Sequence, residues 1–155
     1  MDDFNFWLFI FTIVISTGGF FIFLLLLAAD LCRRGKSKES AWLVVITVLT
    51  GVSIAALKTF FAVPRPADAM VMLESYAFPS GHATGVLFLV VVLWWYLVTI
   101  HKFPRVWSAV GLLAFAGVVG YSRLVLGVHT EVQVLAGYCL GLLMGILFLY
   151  MVQSK

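Results

Sequence analysis

Five long apolar stretches separated by short polar breaks occupy most of the chain: Phe4 to Ala29, Ala41 to Leu57, Ala83 to Ile100, Val106 to Tyr121 and Val132 to Val152. Each approaches the ~20 residues a helix needs to cross a bilayer. The second and fourth are the shortest, and Ser37 to Ser40 and Pro104 to Arg105 can lengthen them at the interface. None alternates apolar and polar positions as a barrel strand does, and backbone groups in hydrocarbon must be satisfied within the segment, so helices remain. The pattern predicts an all-α, polytopic membrane helical bundle of about five transmembrane helices. No repeat, low-complexity tract or long linker divides it, so residues 1–155 read as one transmembrane domain. The first run has no preceding basic region or small-residue cleavage site, and its 26 residues exceed a signal-peptide core. It is expected to stay in the mature protein.

Composition agrees. With 63% hydrophobic and 11% charged residues, the chain lies outside the range of ordinary soluble domains. Charge then sets orientation. If five helices alternate, the seven cations Arg33, Arg34, Lys36, Lys38, Lys102, Arg105 and Lys155 share one side, and the three cations Lys58, Arg65 and Arg123 share the other. The positive-inside rule places the seven in the cytoplasm of a cell membrane and the amino terminus outside or in the periplasm. No aromatic interleaving or binding motif accompanies the basic loops, so they read as topology-setting charge and not as a nucleic-acid surface. Cys32 and Cys139 lie near or within helices and read as packing residues, not a disulfide.

The outward side collects the strong polar groups. Lys58 ends the second helix, Ser80, Gly81 and His82 open the third, Ser122 and Arg123 end the fourth, and His129 opens the fifth. Ionisable groups at membrane depth are costly and tend to be functional, so these converging helix ends read as one site. Three cations around one locus suit a polyanion, and guanidinium forks match phosphate oxygens. Pro64 and Pro66 hold Arg65 in extended backbone. Pro79 suits the first turn of the third helix, so that amides near Ser80 and Gly81 face outward as an anion site. Two histidines can serve both halves of a displacement, one attacking phosphorus and one protonating the departing oxygen. His101, beside Lys102 on the basic side, reads as an interfacial residue.

Lys58 and, after six residues, Arg65 and Pro66; then Pro79, Ser80, Gly81 and His82; then Ser122, Arg123 and, after five residues, His129: this ordered triplet resembles the signature of the type-2 phosphatidate phosphatase superfamily. The resemblance covers about Lys58 to Gly141. It implies a metal-independent phosphatase working through a phosphohistidine, with His129 as nucleophile, His82 as general acid, and Lys58, Arg65, Ser80, Gly81 and Arg123 as phosphate binders. No cofactor is implied. One position departs: four residues after His129, where the family usually has aspartate, stands Gln133. Its amide oxygen can still accept the imidazole N–H one helical turn away, but it supplies no negative charge. Glu131, two residues from His129, should point elsewhere on a regular helix.

A metal site is a poorer fit. His82, His129, Asp68, Glu74 and Glu131 show no ligand spacing, and three cations would repel a divalent ion. The expected partner is a lipid phosphate in the bilayer: an isoprenyl diphosphate, phosphatidic acid, phosphatidylglycerol phosphate or a lipid A phosphate. Gln133 tilts the choice toward isoprenyl (undecaprenyl-type) diphosphate by analogy with related branches. Ala67 to Phe78, with Met70, Met72, Leu73 and Tyr76, either lines the entrance or anchors at the interface. Lipid-to-lipid phosphotransfer and a non-enzymatic transport or assembly role stay open. So does oligomeric state, because Gly111, Gly117 and Gly120, or Gly137, Gly141 and Gly145, can pack within a bundle or between subunits.

Overall fold

The computed structural model describes residues 17–67, 69–70 and 74–154, and these form five helices: α1 (Thr17–Arg33), α2 (Ser37–Phe61), α3 (Gly81–Thr99), α4 (Arg105–Val125) and α5 (Glu131–Gln153). Helices α2 to α5 are each long and apolar enough to span a bilayer. The first half of the first apolar run lies outside the described residues. Ser37 to Ser40 belong to α2, and Arg105 opens α4 behind the cap residue Pro104, so both short runs are lengthened as expected.

The outer faces stay apolar. Val48, Val52, Val110, Leu113, Leu135, Leu143 and Ile146 are exposed large hydrophobics, as suits helices whose solvent is hydrocarbon. Inside, Leu31, Leu43, Ile46, Val86, Phe88, Val92 and Phe148 form the core, with Trp95 set edge-on to Phe148 at 5.3 Å. Helix α1 turns directly into α2. Gly35 takes φ 75° and donates to the Cys32 carbonyl at 3.0 Å, while the Lys36 N–H reaches Leu31 O at 2.9 Å. That paired ending needs a left-handed residue, which glycine supplies without strain. Ser40 then donates to Ala28 O at 2.7 Å, closing the α1–α2 pair.

Helix α5 lies against α3 at backbone distance. A Cβ at Gly137 would stand 2.6 Å from Ser80 O, one at Gly141 2.3 Å from Thr84 O, and one at Gly145 2.6 Å from Val91 Cβ. The four-residue spacing therefore serves packing within the bundle. Gly120 packs under the Tyr138 ring, whose hydroxyl donates to Ala116 O at 2.6 Å and ties α4 to α5. Gly111 and Gly117 face open space. Cys32 and Cys139 are free thiols, but both are exposed, which corrects the expectation that they are packing residues. Each lies on an outer helix surface, where a small apolar group is tolerated.

The α3–α5 contact makes a stability prediction. Gly141→Ala puts a methyl against the main chain of Thr84 and Phe88, so the helices must separate. A loss of about 1–3 kcal/mol is expected, as for other overpacked sites, visible as a lower unfolding temperature in detergent. Gly117→Ala, in the interior of α4 and meeting nothing, should leave that temperature no lower than in wild type.

Candidate active site

The site forms where α2 and α4 end and α3 and α5 begin. Lys58 stands in the last turn of α2, which closes with Ala62 in left-handed backbone donating to Lys58 O at 3.0 Å. Its ammonium donates to the Tyr76 carbonyl. The chain then runs through residues 62–66 without helix, and this segment carries Arg65 into the site. Two backbone bonds pin the α2–α3 loop: Ala77 N–H to Val63 O at 2.8 Å, and Met70 N–H to Leu126 O at 3.1 Å.

Each nitrogen of the Arg65 guanidinium has a partner. Nε donates to Ser75 O at 2.9 Å and Nη2 to Ser75 Oγ at 3.0 Å. Nη1 donates to Val128 O at 2.9 Å and faces His129 Nε2 at 3.3 Å. Burial lowers the Arg65 pKa below its ordinary value, but a guanidinium remains a cation throughout the working range.

Arg123 lies in the last turn of α4 and is only 4% exposed. The buried Ser122 hydroxyl accepts from its Nε and Nη2, each at 3.2 Å, and donates to Val119 O at 2.6 Å. The ion pairs among the described residues are Arg34–Asp30 and Lys36–Glu39, at the other end of the bundle. No described carboxylate neutralises Lys58, Arg65 or Arg123. A buried cation without an ionic partner is expensive, so the arrangement favours an arriving anion.

Two contacts fix the His129 tautomer. Gln133 Oε1 lies 3.1 Å from His129 Nδ1 and also accepts the Thr130 N–H at 3.1 Å. A backbone N–H needs an acceptor, so this amide atom is the oxygen and Nδ1 carries the proton. Arg65 Nη1 can only donate, so Nε2 must bear the lone pair. Burial and then the Arg65 charge push the His129 pKa down to about 4, with the Gln133 bond opposing them. The imidazole is therefore neutral at physiological pH and gains its proton only as pH falls through that value.

His82 is the second residue of α3, at the helix start that Ser80 caps, and so shares the end of the bundle that carries Lys58, Arg123 and His129. All eight site residues read from the sequence thus meet: Lys58, Arg65, Ser80, Gly81, His82, Arg123, His129 and Gln133. Details differ around α3. Ser80, not Pro79, caps the helix, because its hydroxyl accepts from Ala83 N–H at 3.5 Å and satisfies an orphan donor. Pro79 sits before the cap, outside the first turn. The Ser80 N–H is engaged by Gln133 O at 3.1 Å, so the first-turn donors left for an anion are those of Gly81 and His82. A Cβ at Gly81 would make only an ordinary 3.7 Å contact with Ile54, so protein packing does not demand glycine there.

Glu131 is exposed, and His101 lies against Tyr96 beyond the far end of α3, ring centroids 5.1 Å apart and planes tilted by 53°. Met70 and Tyr76 are exposed beside the site; Asp68, Met72 and Leu73 lie outside the described residues. The sequence reading missed Ser75, the Tyr76 and Val128 carbonyls and the Thr130 cap. Only Thr130 had a signal: Thr130-x-x-Gln133 is a capping box, and both of its bonds form.

Comparison with known proteins places the fold. The crystal structure of the first transmembrane PAP2 type phosphatidylglycerolphosphate phosphatase from Bacillus subtilis superposes with a TM-score of 0.89 at 24% identity, covering 99% of this chain and 78% of that one. No curated protein matches the chain. Residues 39–155, which hold every helix end of the site, match the PAP2 superfamily. With its apolar spans, this match makes the chain a multi-pass membrane protein that belongs to the PAP2 superfamily and is a phosphoric ester hydrolase.

Proposed function

We propose that the protein removes a phosphate from a lipid phosphate or diphosphate through a phosphohistidine, without a metal. The observation that carries this reading is the buried, unneutralised Arg123, with Lys58 and Arg65, around a neutral His129 whose Nε2 lone pair faces the same space. Nε2 attacks phosphorus as the lipid P–O bond breaks, and His82 gives its proton to the leaving oxygen. Water then attacks phosphorus, His82 takes its proton, and the P–N electrons return to Nε2. Lys58, Arg65, Arg123 and the amides of Gly81 and His82 hold the equatorial oxygens, Ser80 places those amides, and Gln133 keeps Nδ1 protonated.

The structural neighbour acts on phosphatidylglycerolphosphate, which makes that lipid the first substrate to try. Gln133 favours an isoprenyl diphosphate as the second. The deciding experiment is phosphate release by purified protein from a panel of lipid phosphates and diphosphates in chelator, with His129→Ala as control. Gln133→Asp should keep or raise the rate, since a carboxylate stabilises the imidazolium that forms during attack. Complete loss would give glutamine a role beyond orientation.

The site faces outward in this reading. Lys38 donates to the Ser154 carbonyl, so the α1–α2 turn and the carboxyl terminus share the end opposite the site. With Cys32 and Cys139 replaced, Glu74→Cys should react with an impermeant thiol reagent in intact cells, any outer membrane being permeabilised, and Ser37→Cys should not. Reversed labelling would place the site in the cytoplasm and exclude substrates of the outer leaflet.

A further inference from the structure

We propose that Ser75 is a positioning residue that holds Arg65 over His129, so that Arg65 masks the Nε2 lone pair until a phosphate oxygen displaces it. The inference rests on the reading of His129 as nucleophile. A guanidinium has five N–H groups. Ser75 takes the side-on edge, accepting from Nε through its carbonyl at 2.9 Å and from Nη2 through its hydroxyl at 3.0 Å. Nη1 uses its two hydrogens on Val128 O at 2.9 Å and His129 Nε2 at 3.3 Å. One Nη2 hydrogen remains unassigned to any described residue. The end-on edge, Nη1 with Nη2, is therefore the edge that can fork onto phosphate, and doing so redirects an Nη1 hydrogen now shared with Val128 O and His129.

Chemistry favours the exchange at the His129 contact. A bond from guanidinium to an anionic phosphate oxygen is roughly twice as strong as one to a neutral acceptor, and 3.3 Å is the longest of the four Arg65 contacts. Phosphate thus draws the hydrogen away from Nε2 while bringing phosphorus to it. Ser75 keeps the side-on edge throughout, so Arg65 changes one partner without leaving the site. The residue is exposed and lies in the α2–α3 loop, outside the three motifs read from the sequence.

The test compares Ser75→Thr with Ser75→Val, which match in shape and differ in the hydroxyl, alongside Ser75→Ala. Ala and Val should lower kcat/KM by about 10-fold, the effect of losing one hydrogen bond to a charged group, with weaker competitive inhibition by inorganic phosphate. Thr should recover most of it. Carbethoxylation of His129 by diethyl pyrocarbonate, read by mass spectrometry, should run several-fold faster in Ala and Val than in wild type, because the loosened guanidinium no longer covers Nε2. A merely structural role would not raise reactivity while lowering turnover. Equal behaviour of Thr and Val, or unchanged His129 labelling, overturns the proposal. If wild-type protein releases no phosphate, or His129→Ala still does, the proposed function fails instead, and the labelling comparison still decides whether Ser75 sets the cover over His129.

Discussion

His129→Ala should reduce phosphate release to the uncatalysed background, a loss of at least about 10⁴-fold, because removing a covalent nucleophile leaves only binding and charge stabilisation. The expectation follows from the tautomer. Nδ1 is committed to Gln133 Oε1 at 3.1 Å, so the single attacking lone pair belongs to Nε2, and no other described imidazole combines that orientation with contact to Arg65. His82→Ala should act differently, lowering turnover by about 10²–10⁴-fold through loss of the proton donor. With an activated substrate, whose leaving group needs no proton, the first step should survive and the second stall. Phosphate label should then accumulate on His129 in His82→Ala and be absent from His129→Ala. Wild-type turnover in His129→Ala would remove the mechanism.

Arg123→Lys should lower kcat/KM by about 10²-fold or more, although charge is retained. Arg123 is buried, and the Ser122 hydroxyl receives its Nε and Nη2 hydrogens, which aligns one edge of the guanidinium. Lysine has no planar edge to align, and its ammonium would be buried without that orientation. Removing one preorganised donor from a transition-state oxygen usually has effects of about 10²–10³-fold. Arg65→Lys should also fall, through loss of the fork. Activity near wild type in both variants, measured as initial rates in detergent, would mean that the phosphate is held elsewhere.

Much of this architecture was legible because membrane physics leaves few choices. An apolar run of about 20 residues is already a helix, so alternation alone put Lys58, His82, Arg123 and His129 at one end of the bundle. Lys58, Arg65, His82, Arg123 and His129 were picked out because ionisable groups at that depth stand out, whereas Gln133 entered only through its place in the resembling motif. Bonds made by the main chain were not readable. Nothing in the sequence marks Ser75 as the partner of Arg65, since its carbonyl does half the work and a carbonyl is common to every residue. The expectation of Pro79 in the first turn failed because the helix begins two residues later, at Gly81, with the Ser80 hydroxyl capping the Ala83 N–H and the Ser80 N–H bonded to Gln133 O across the bundle. Gln133 itself was read as a tautomer setter; its second bond, to the Thr130 N–H, makes it a cap as well, so helix start and nucleophile share one oxygen.

The glycine stripe of α5 has a consequence for how such a scaffold can change its diet. Where Gly137 and Gly141 press on Ser80 O and Thr84 O, main chain meets main chain, so the offset between the helix that carries His82 and the one that follows His129 has no side chain left to adjust. Reaction geometry is inherited as a rigid block. Selectivity for a new lipid must then be acquired through the α2–α3 loop and the outward-facing helix surfaces; among the described residues the loop is tied to the helix ends by Arg65 on Val128 O, the Met70 N–H on Leu126 O and the Tyr76 carbonyl on Lys58. Grafting that loop between homologues should transfer substrate preference while leaving the rate of the chemical step nearly constant.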